Sequence, residues 1–133
     1  RVSEGLLASL DATGFTYETK VYPDMRYAYV ATSKEIMEAA KDFDGILSIG
    51  TGSVNDVCRY AAAQTNKAFA IFATAPSMDG YASNSSAMII GGLKFSLYHG
   101  MPAAIIWLAP AKTMADMPQV CATVKPACLA MMA

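Results

Sequence analysis

Apolar residues recur along this chain with two alternating periods, one typical of helices and one of strands. Helical spacing predicts helices over 2–12 and 32–42 and another that starts at Ser53. Thr32 and Glu35 have the spacing of a capping box, so we expect the second helix to begin at Thr32. Strands are predicted over 15–22, 45–49, 69–73 and 103–107, and a hairpin turning at Gly91-Gly92 is predicted over 88–97.

The runs 45–49 and 69–73 are continuously apolar, which is typical of strands buried on both faces of a parallel sheet. Strands that alternate with helices predict an α/β fold with a Rossmann-like parallel sheet and flanking helices. Ligands of such sheets bind beyond the carboxyl ends of the strands. The loops that follow these two runs are therefore the candidate sites.

The first candidate loop is Gly50-Thr51-Gly52-Ser53, a glycine turn that leads from a strand into a helix. Its glycines allow close approach of the backbone to a ligand, and the helix start offers free N–H groups to a phosphate. No Gly-Lys-Ser/Thr follows, and Asn55 replaces the third glycine of the dinucleotide-binding pattern. The alternative is a purely structural turn with Ser53 as the helix N-cap.

The second candidate loop carries Asp79 among hydroxyl and amide side chains, a set suited to a polyol or a ribose. The alternative is a turn aspartate that bonds its own backbone. His99, the single histidine, lies in a predicted turn, where a surface role is favoured over a catalytic one.

Composition narrows the class of protein. The 133 residues are 54% apolar and carry a formal net charge of -1, so a broad basic field for nucleic acid is absent. The most apolar runs are shorter than the roughly 18 residues that cross a bilayer, so no membrane span is predicted. Three cysteines without a regular spacing favour the cytoplasm over a secreted disulfide framework.

Two segments resemble a known family: Phe43-Asp44-Gly45-Ile46-Leu47-Ser48-Ile49-Gly50-Thr51-Gly52-Ser53-Val54-Asn55-Asp56 and Ala73-Thr74-Ala75-Pro76-Ser77-Met78-Asp79-Gly80-Tyr81-Ala82-Ser83. They are similar to the sn-glycerol-1-phosphate dehydrogenases, which share a superfamily with glycerol dehydrogenase, iron-containing alcohol dehydrogenases and dehydroquinate synthase. The resemblance implies a nucleotide-binding α/β domain over 1–107. It also implies that 108–133 is the start of an otherwise absent all-helical, metal-binding domain.

The resemblance further implies site residues. Asp79 would bind the substrate hydroxyls, with Ser83 near the nicotinamide end of NAD or NADP. The residues implied to bind the cofactor are Gly50, Gly52, Ser53, Val54, Asn55, Asp56, Thr74, Ser77 and Ser83.

The family holds a divalent metal, usually zinc and in some cases nickel or iron, through one aspartate and two histidines. Asp116 is the matching aspartate, but its glycine-containing context and both histidines are missing. We therefore expect this chain alone to be inactive. The family pattern is interrupted at Trp107-Leu108 and at Ala115-Asp116, which either a real fragment or a chain with residues missing at these points and beyond 133 explains. We favour missing residues as the hypothesis.

The function implied is an oxidoreductase of phospholipid metabolism that interconverts dihydroxyacetone phosphate and sn-glycerol 1-phosphate. The partners expected are a phosphorylated polyol and further copies of the chain in a homo-oligomer. Three alternatives stay open: glycerol dehydrogenase, a dehydroquinate synthase-like lyase, and a non-catalytic nucleotide-binding module.

Overall fold

A computed structural model describes residues 2–74, 79–107 and 120–124 of the chain. Helices and strands alternate along most of it, as the sequence predicts. Three α-helices are present in these ranges: α1 (Val2–Ala12), α2 (Val30–Ala39) and α3 (Gly52–Thr65). The strands are β1 (Tyr17–Val21), β2 (Gly45–Gly50), β3 (Ala68–Ala73), β4 (Ser85–Ile90), β5 (Leu93–Tyr98), β6 (Ala104–Trp107) and β7 (Val120–Val124), and a 3-10 helix covers Asp79–Ala82.

Five strands form one sheet in the order β1-β7-β2-β3-β6. β2, β3 and β6 are parallel neighbours, while β7 runs antiparallel between β1 and β2. This is the predicted Rossmann-like parallel sheet with one antiparallel strand inserted. The carboxyl ends of β1, β2, β3 and β6 therefore lie along a single edge.

Side chains of β2 and β3 alternate between two hydrophobic layers, because successive strand residues point to opposite faces. On one face, Ile46 and Ile71 pack with α2 and α3 in the larger core cluster. On the other face, Leu47, Ile49 and Phe72 pack against Leu6 and Leu10 of α1. Helices thus cover both faces, which explains why these strands are continuously apolar.

The capping box predicted at the start of α2 is wrong. α2 begins at Val30, its N-cap is Tyr29, and no side chain caps it. Glu35 instead forms an ion pair with Lys20 at 2.9 Å. Thr32 therefore lies inside the first turn of α2 and not at its N-cap.

The antiparallel β4–β5 hairpin forms a separate two-stranded sheet, with Ser85 opposite Tyr98 and Ile90 opposite Leu93. Its Gly91 and Gly92 have φ values of +57° and +83°, a pair of left-handed residues that two-residue hairpin turns require. One bond between the hairpin and the rest of the fold is at Ala28, whose carbonyl accepts from the Ile89 amide at 2.7 Å.

Part of the segment predicted to begin a helical domain has a different structure. Val120–Val124 form β7, a strand of the main sheet, so the helical expectation fails for these residues. Three of the five side chains, those of two valines and a threonine, are β-branched, which favours a strand. The remaining residues of 108–133 lie outside the described ranges, and the two-domain division stays a prediction.

Within the described ranges, no helix is long and apolar enough to cross a bilayer.

Candidate functional site

The turn after β2 depends on Gly50. Its φ of +149° is a conformation that residues with a side chain rarely adopt. The next residue, Thr51, is the extended N-cap of α3 and caps it with its backbone alone. Glycine at position 50 thus lets the chain turn from the strand directly into the helix.

The first turn of α3 presents free amide groups at this edge of the sheet. The first main-chain bond of the helix runs from the Asn55 amide to the Thr51 carbonyl at 3.1 Å. The amides that precede Asn55 in the helix have no carbonyl one turn earlier within it, and the positive end of the helix dipole lies beside them. This is the arrangement that binds phosphate groups in nucleotide-binding folds.

The Gly50 carbonyl is the point where three predicted parts of the site meet. It accepts a hydrogen bond from the Thr74 amide, which follows β3, at 3.2 Å. It also accepts one from the Tyr81 hydroxyl at 2.9 Å, and Tyr81 is fully buried. The glycine turn, the end of β3 and the 3-10 helix that begins at Asp79 are therefore held together.

Several polar atoms at this edge are buried but find no partner among the described residues. They are both amide atoms of Asn55 and the hydroxyls of Ser48 and Thr74. Each of these residues is at most 3% exposed. Buried polar groups are nearly always hydrogen-bonded in native proteins, so these atoms fit a site that receives a polar ligand.

Ser53 does not act as the helix cap that the structural alternative required. Its hydroxyl donates to the Arg26 carbonyl at 3.0 Å, which links α3 to the loop after β1. The N-cap position belongs to Thr51. The purely structural alternative is therefore wrong about the cap, and a role of Ser53 in cofactor binding stays a prediction.

Asp56 is engaged with the hairpin. Its carboxylate accepts from the Ala87 backbone of β4, and burial raises its pKa to about 6, against the lowering influence of that bond, Arg59 and Lys94. A carboxylate is destabilised by burial because it loses hydration. This contact gives Asp56 a structural task in addition to the cofactor role that the resemblance implies, which stays a prediction.

The second loop is described in part. Asp79 begins the 3-10 helix, but its side chain, like Ser77, lies outside the described set. The Ser83 hydroxyl is 3.0 Å from the Ser85 amide, from which it accepts, and 2.8 Å from the Ser85 hydroxyl. The substrate and cofactor roles of these residues stay predictions.

Among the residues with a described structure, no three His, Cys, Asp or Glu side chains are grouped to hold a metal. The predicted ligand, Asp116, lies outside these ranges. The described residues thus do not themselves form a metal site. They do fit a nucleotide, because free helix amides and unpaired buried polar atoms meet at the Gly50 turn.

His99 is half-buried, and its ring lies 5.6 Å from that of Tyr60. Burial and nearby Arg59 lower its pKa. It lines a cavity of about 510 Å³ together with Ala68 and Phe69, at the amino end of β3. Thr74 follows the other end of that strand, so His99 lies away from the Gly50 turn, but its amide donates to the Asn84 carbonyl of the second loop at 2.5 Å. Its non-catalytic role stays a prediction.

Sequence reasoning missed Arg59, which is 1% exposed and donates to three carbonyls between positions 80 and 85. The available signal was a charged residue one turn after Asp56, in a helix whose Val57 and Cys58 are predicted to be buried. Tyr81 is one of the hydroxyl side chains that the sequence places in the second loop, but its bond to Gly50 depends on the fold.

The described residues form a Rossmann-like sheet flanked by helices, and the Gly50 turn is the candidate ligand site at its edge. A family model described as iron-containing alcohol dehydrogenase matches residues 3–107, which is more than half of the chain. The chain therefore belongs to the iron-containing alcohol dehydrogenase family, a family of oxidoreductases. The family implies NAD(P) and a divalent metal.

Two bacterial relatives are called glycerol-1-phosphate dehydrogenase (NAD(P)+). The Bacillus velezensis protein is 34% identical over 70 residues, which is 53% of this chain and 18% of that protein. The Bacillus subtilis protein is 27% identical over 101 residues, which is 72% of this chain and 26% of that protein. The chain thus spans about a quarter or less of the length of these relatives.

Solved structures show the same fold at lower identity. Maleylacetate reductase from Agrobacterium tumefaciens has a TM-score of 0.53 and 22% identity, covering 62% of this chain and 24% of that one. Glycerol dehydrogenase from Schizosaccharomyces pombe has a TM-score of 0.52 and 21% identity, covering 59% and 21%. At this identity the likeness concerns the fold alone.

Proposed function

We propose that this chain is the nucleotide-binding part of an NAD(P)-dependent dehydrogenase that interconverts dihydroxyacetone phosphate and sn-glycerol 1-phosphate. The observation that carries the proposal is the meeting of the glycine turn, the Thr74 amide and the Tyr81 hydroxyl at the Gly50 carbonyl. The relatives called glycerol-1-phosphate dehydrogenase support this choice of substrate.

In this proposal the α3 amino terminus binds the pyrophosphate of the dinucleotide. Free amides donate to phosphate oxygens, and the helix dipole favours their negative charge. Gly50 and Gly52 keep side chains out of the approach. Asn55 and Thr74 supply the buried polar groups that a bound nucleotide would pair.

The loop that begins at Asp79 contributes the substrate side of the site. Asp79 accepts hydrogen bonds from the hydroxyls of the polyol and so orients the carbon that reacts. Ser83 lies towards the nicotinamide end. When bound, the nicotinamide supplies or accepts the hydride, and the protein groups supply position and electrostatics.

The metal, which we propose to be zinc, and its ligand Asp116 belong to the same proposal, as do a homo-oligomeric state and a place in the cytoplasm. No step is assigned to the metal, because the described residues do not form its site.

The first test is nucleotide binding by this chain, measured by titration with NADH and NADPH and followed by nicotinamide fluorescence. We expect saturable binding of at least one. Gly50→Ala is the matched variant. The control is Gly5→Ala, at an exposed position of α1, because its added methyl meets nothing within 4 Å. Absence of saturable binding by the unaltered chain would contradict the proposed function.

The second test is turnover by the full product of the gene. Dihydroxyacetone phosphate and NAD(P)H are supplied with zinc, nickel or iron in turn, and loss of the reduced nicotinamide is followed. Dihydroxyacetone without the phosphate is the matched control. Turnover of the phosphorylated ketone alone supports the proposal, preference for the unphosphorylated ketone favours glycerol dehydrogenase, and binding without any turnover favours a non-catalytic module.

A further inference from the structure

Arg59 is the largest fully buried side chain of the described core. Its guanidinium donates to the Ser85 carbonyl at 2.7 Å, to the Gly80 carbonyl at 3.0 Å and to the Tyr81 carbonyl at 2.9 Å. Burial of a charged group is costly unless it is hydrogen-bonded, and these bonds of the two terminal nitrogens offset that cost, while Nε is buried without a partner among the described residues. The guanidinium therefore binds backbone carbonyl groups.

The three carbonyls belong to one segment, residues 79–85, which we call the substrate loop. This loop contains Asp79, which we propose binds the substrate, and Ser83, which we propose lies near the nicotinamide end of the cofactor. The same loop is tied to the cofactor turn by the Tyr81 hydroxyl on the Gly50 carbonyl. The loop is thus fastened at one point to β2 and at three points to α3.

A neighbouring pair extends this fastening to β4. Asp56, one turn before Arg59 on α3, accepts from the Ala87 backbone, and its charge favours the charged form of Arg59. The Arg59 guanidinium also lies 5.7 Å from the centre of the Phe69 ring, which limits its movement towards β3. One face of α3 therefore holds the loop and the start of the hairpin.

The positions of the three carbonyls require a planar side chain with several N–H donors, which arginine provides. Guanidinium donors point in fixed directions, so one arginine reaches several carbonyls at once. A lysine at the same position keeps the charge but offers a single ammonium on a flexible chain. The Arg59→Lys variant therefore separates the effect of the charge from the effect of the planar guanidinium.

We propose that Arg59 is a positioning residue, which sets the substrate loop against the cofactor turn so that the nicotinamide end of the dinucleotide is correctly received. This inference rests on the proposed function. The pyrophosphate end is bound by the start of α3, which does not depend on these bonds. Replacement of Arg59 should therefore weaken binding of the nicotinamide end more than binding of the pyrophosphate end.

The first experiment tests, without any ligand, whether Arg59 holds the substrate loop in place. Amide hydrogen exchange is compared in the unaltered chain, Arg59→Met, Arg59→Lys and the exposed control Lys34→Met. For Arg59→Met we expect exchange in 80–87 to rise by about tenfold or more, because charge-assisted bonds are lost, while 45–50 keeps its protection. Arg59→Lys should lie between. Unchanged exchange in 80–87, or an equal rise throughout the chain, would overturn the proposal.

The closing experiment compares the affinity for NADH with that for ADP-ribose, which has the pyrophosphate but no nicotinamide. We expect the unaltered chain to prefer NADH, and Arg59→Met to lose about tenfold in NADH affinity with ADP-ribose affinity retained. Arg59→Lys should keep part of the preference for NADH over ADP-ribose. The control Lys34→Met should keep all of it. A merely structural role would weaken both ligands equally.

The outcomes separate the two proposals. If the unaltered chain prefers NADH and both Arg59 variants keep that preference, the positioning role is overturned and the proposed function stands. If the unaltered chain binds neither nucleotide, the proposed function is overturned, and the positioning role falls with it whatever the exchange data show.

Discussion

The raised pKa of Asp56 predicts a measurable dependence of stability on pH. Burial raises the pKa of this carboxyl from 3.8 to about 6 in the folded chain. Between these two values the folded state holds a proton that the unfolded state has released. Stability therefore falls as pH rises through this window, and the full cost of the buried charge is present above about pH 6.

The size of the effect follows from the two pKa values. They differ by about two pH units, and each unit corresponds to about 1.4 kcal/mol, so the upper limit is about 3 kcal/mol. Because Asp56 keeps some contact with water, we expect about 2 kcal/mol in the free energy of unfolding.

The perturbation is Asp56→Asn, which removes the charge and keeps an oxygen that can accept from Ala87. Urea unfolding is followed by circular dichroism between about pH 4 and about pH 8. We expect the variant to match the unaltered chain near pH 4 and to exceed it by about 2 kcal/mol at pH 8. The matched control is Asp42→Asn, at an exposed carboxyl.

Two results would refute this reasoning. In one, the difference between Asp56→Asn and the unaltered chain stays constant across the pH range. In the other, the free energy of unfolding of the unaltered chain rises relative to that of the variant as pH rises. That result would mean that the Ala87 bond and the nearby cations outweigh the loss of hydration.

Three further predictions concern the turn and the core. Tyr81→Phe should cost only about 1 kcal/mol in urea unfolding, because the Gly50 carbonyl keeps its bond to the Thr74 amide; a loss several times larger would contradict this. Gly50→Ala should cost about 1–3 kcal/mol through its φ of +149°, so unchanged stability by thermal unfolding would mean that the strain is absent. Ile71→Ala should cost roughly 2–5 kcal/mol, against less than about 1 kcal/mol for the exposed Ile90→Ala, and equal costs would argue against the assigned core.

Much of the fold is determined by local pattern. Helix α1 has the bounds that the sequence predicts, 2–12, and the ends of β2, β3 and β6 shift by a single residue or less. The hairpin turns at Gly91-Gly92 as predicted. These features follow from residue spacing and from glycines, which act over a few neighbouring positions and so can be recognised in the sequence.

Two errors have a different origin. The Thr32 capping box failed because α2 begins two residues earlier, at Val30, and Glu35 pairs with Lys20 instead. The strand β7 was missed because its partners, Tyr17–Val21 and 45–49, lie far earlier in the chain. For β7, pairing with strands distant in sequence decided what local preference could not.

The candidate site divides in the same way. The sequence by itself determined the glycine turn, the helix that follows it and the position of the second loop at the same edge of the sheet. Only the tertiary structure decided that Tyr81 bonds Gly50 and that Arg59 holds carbonyls 21 to 26 positions away. It also decided the pKa of Asp56. Burial and pairing of a charge are properties of the surroundings, which exist only once the chain has folded.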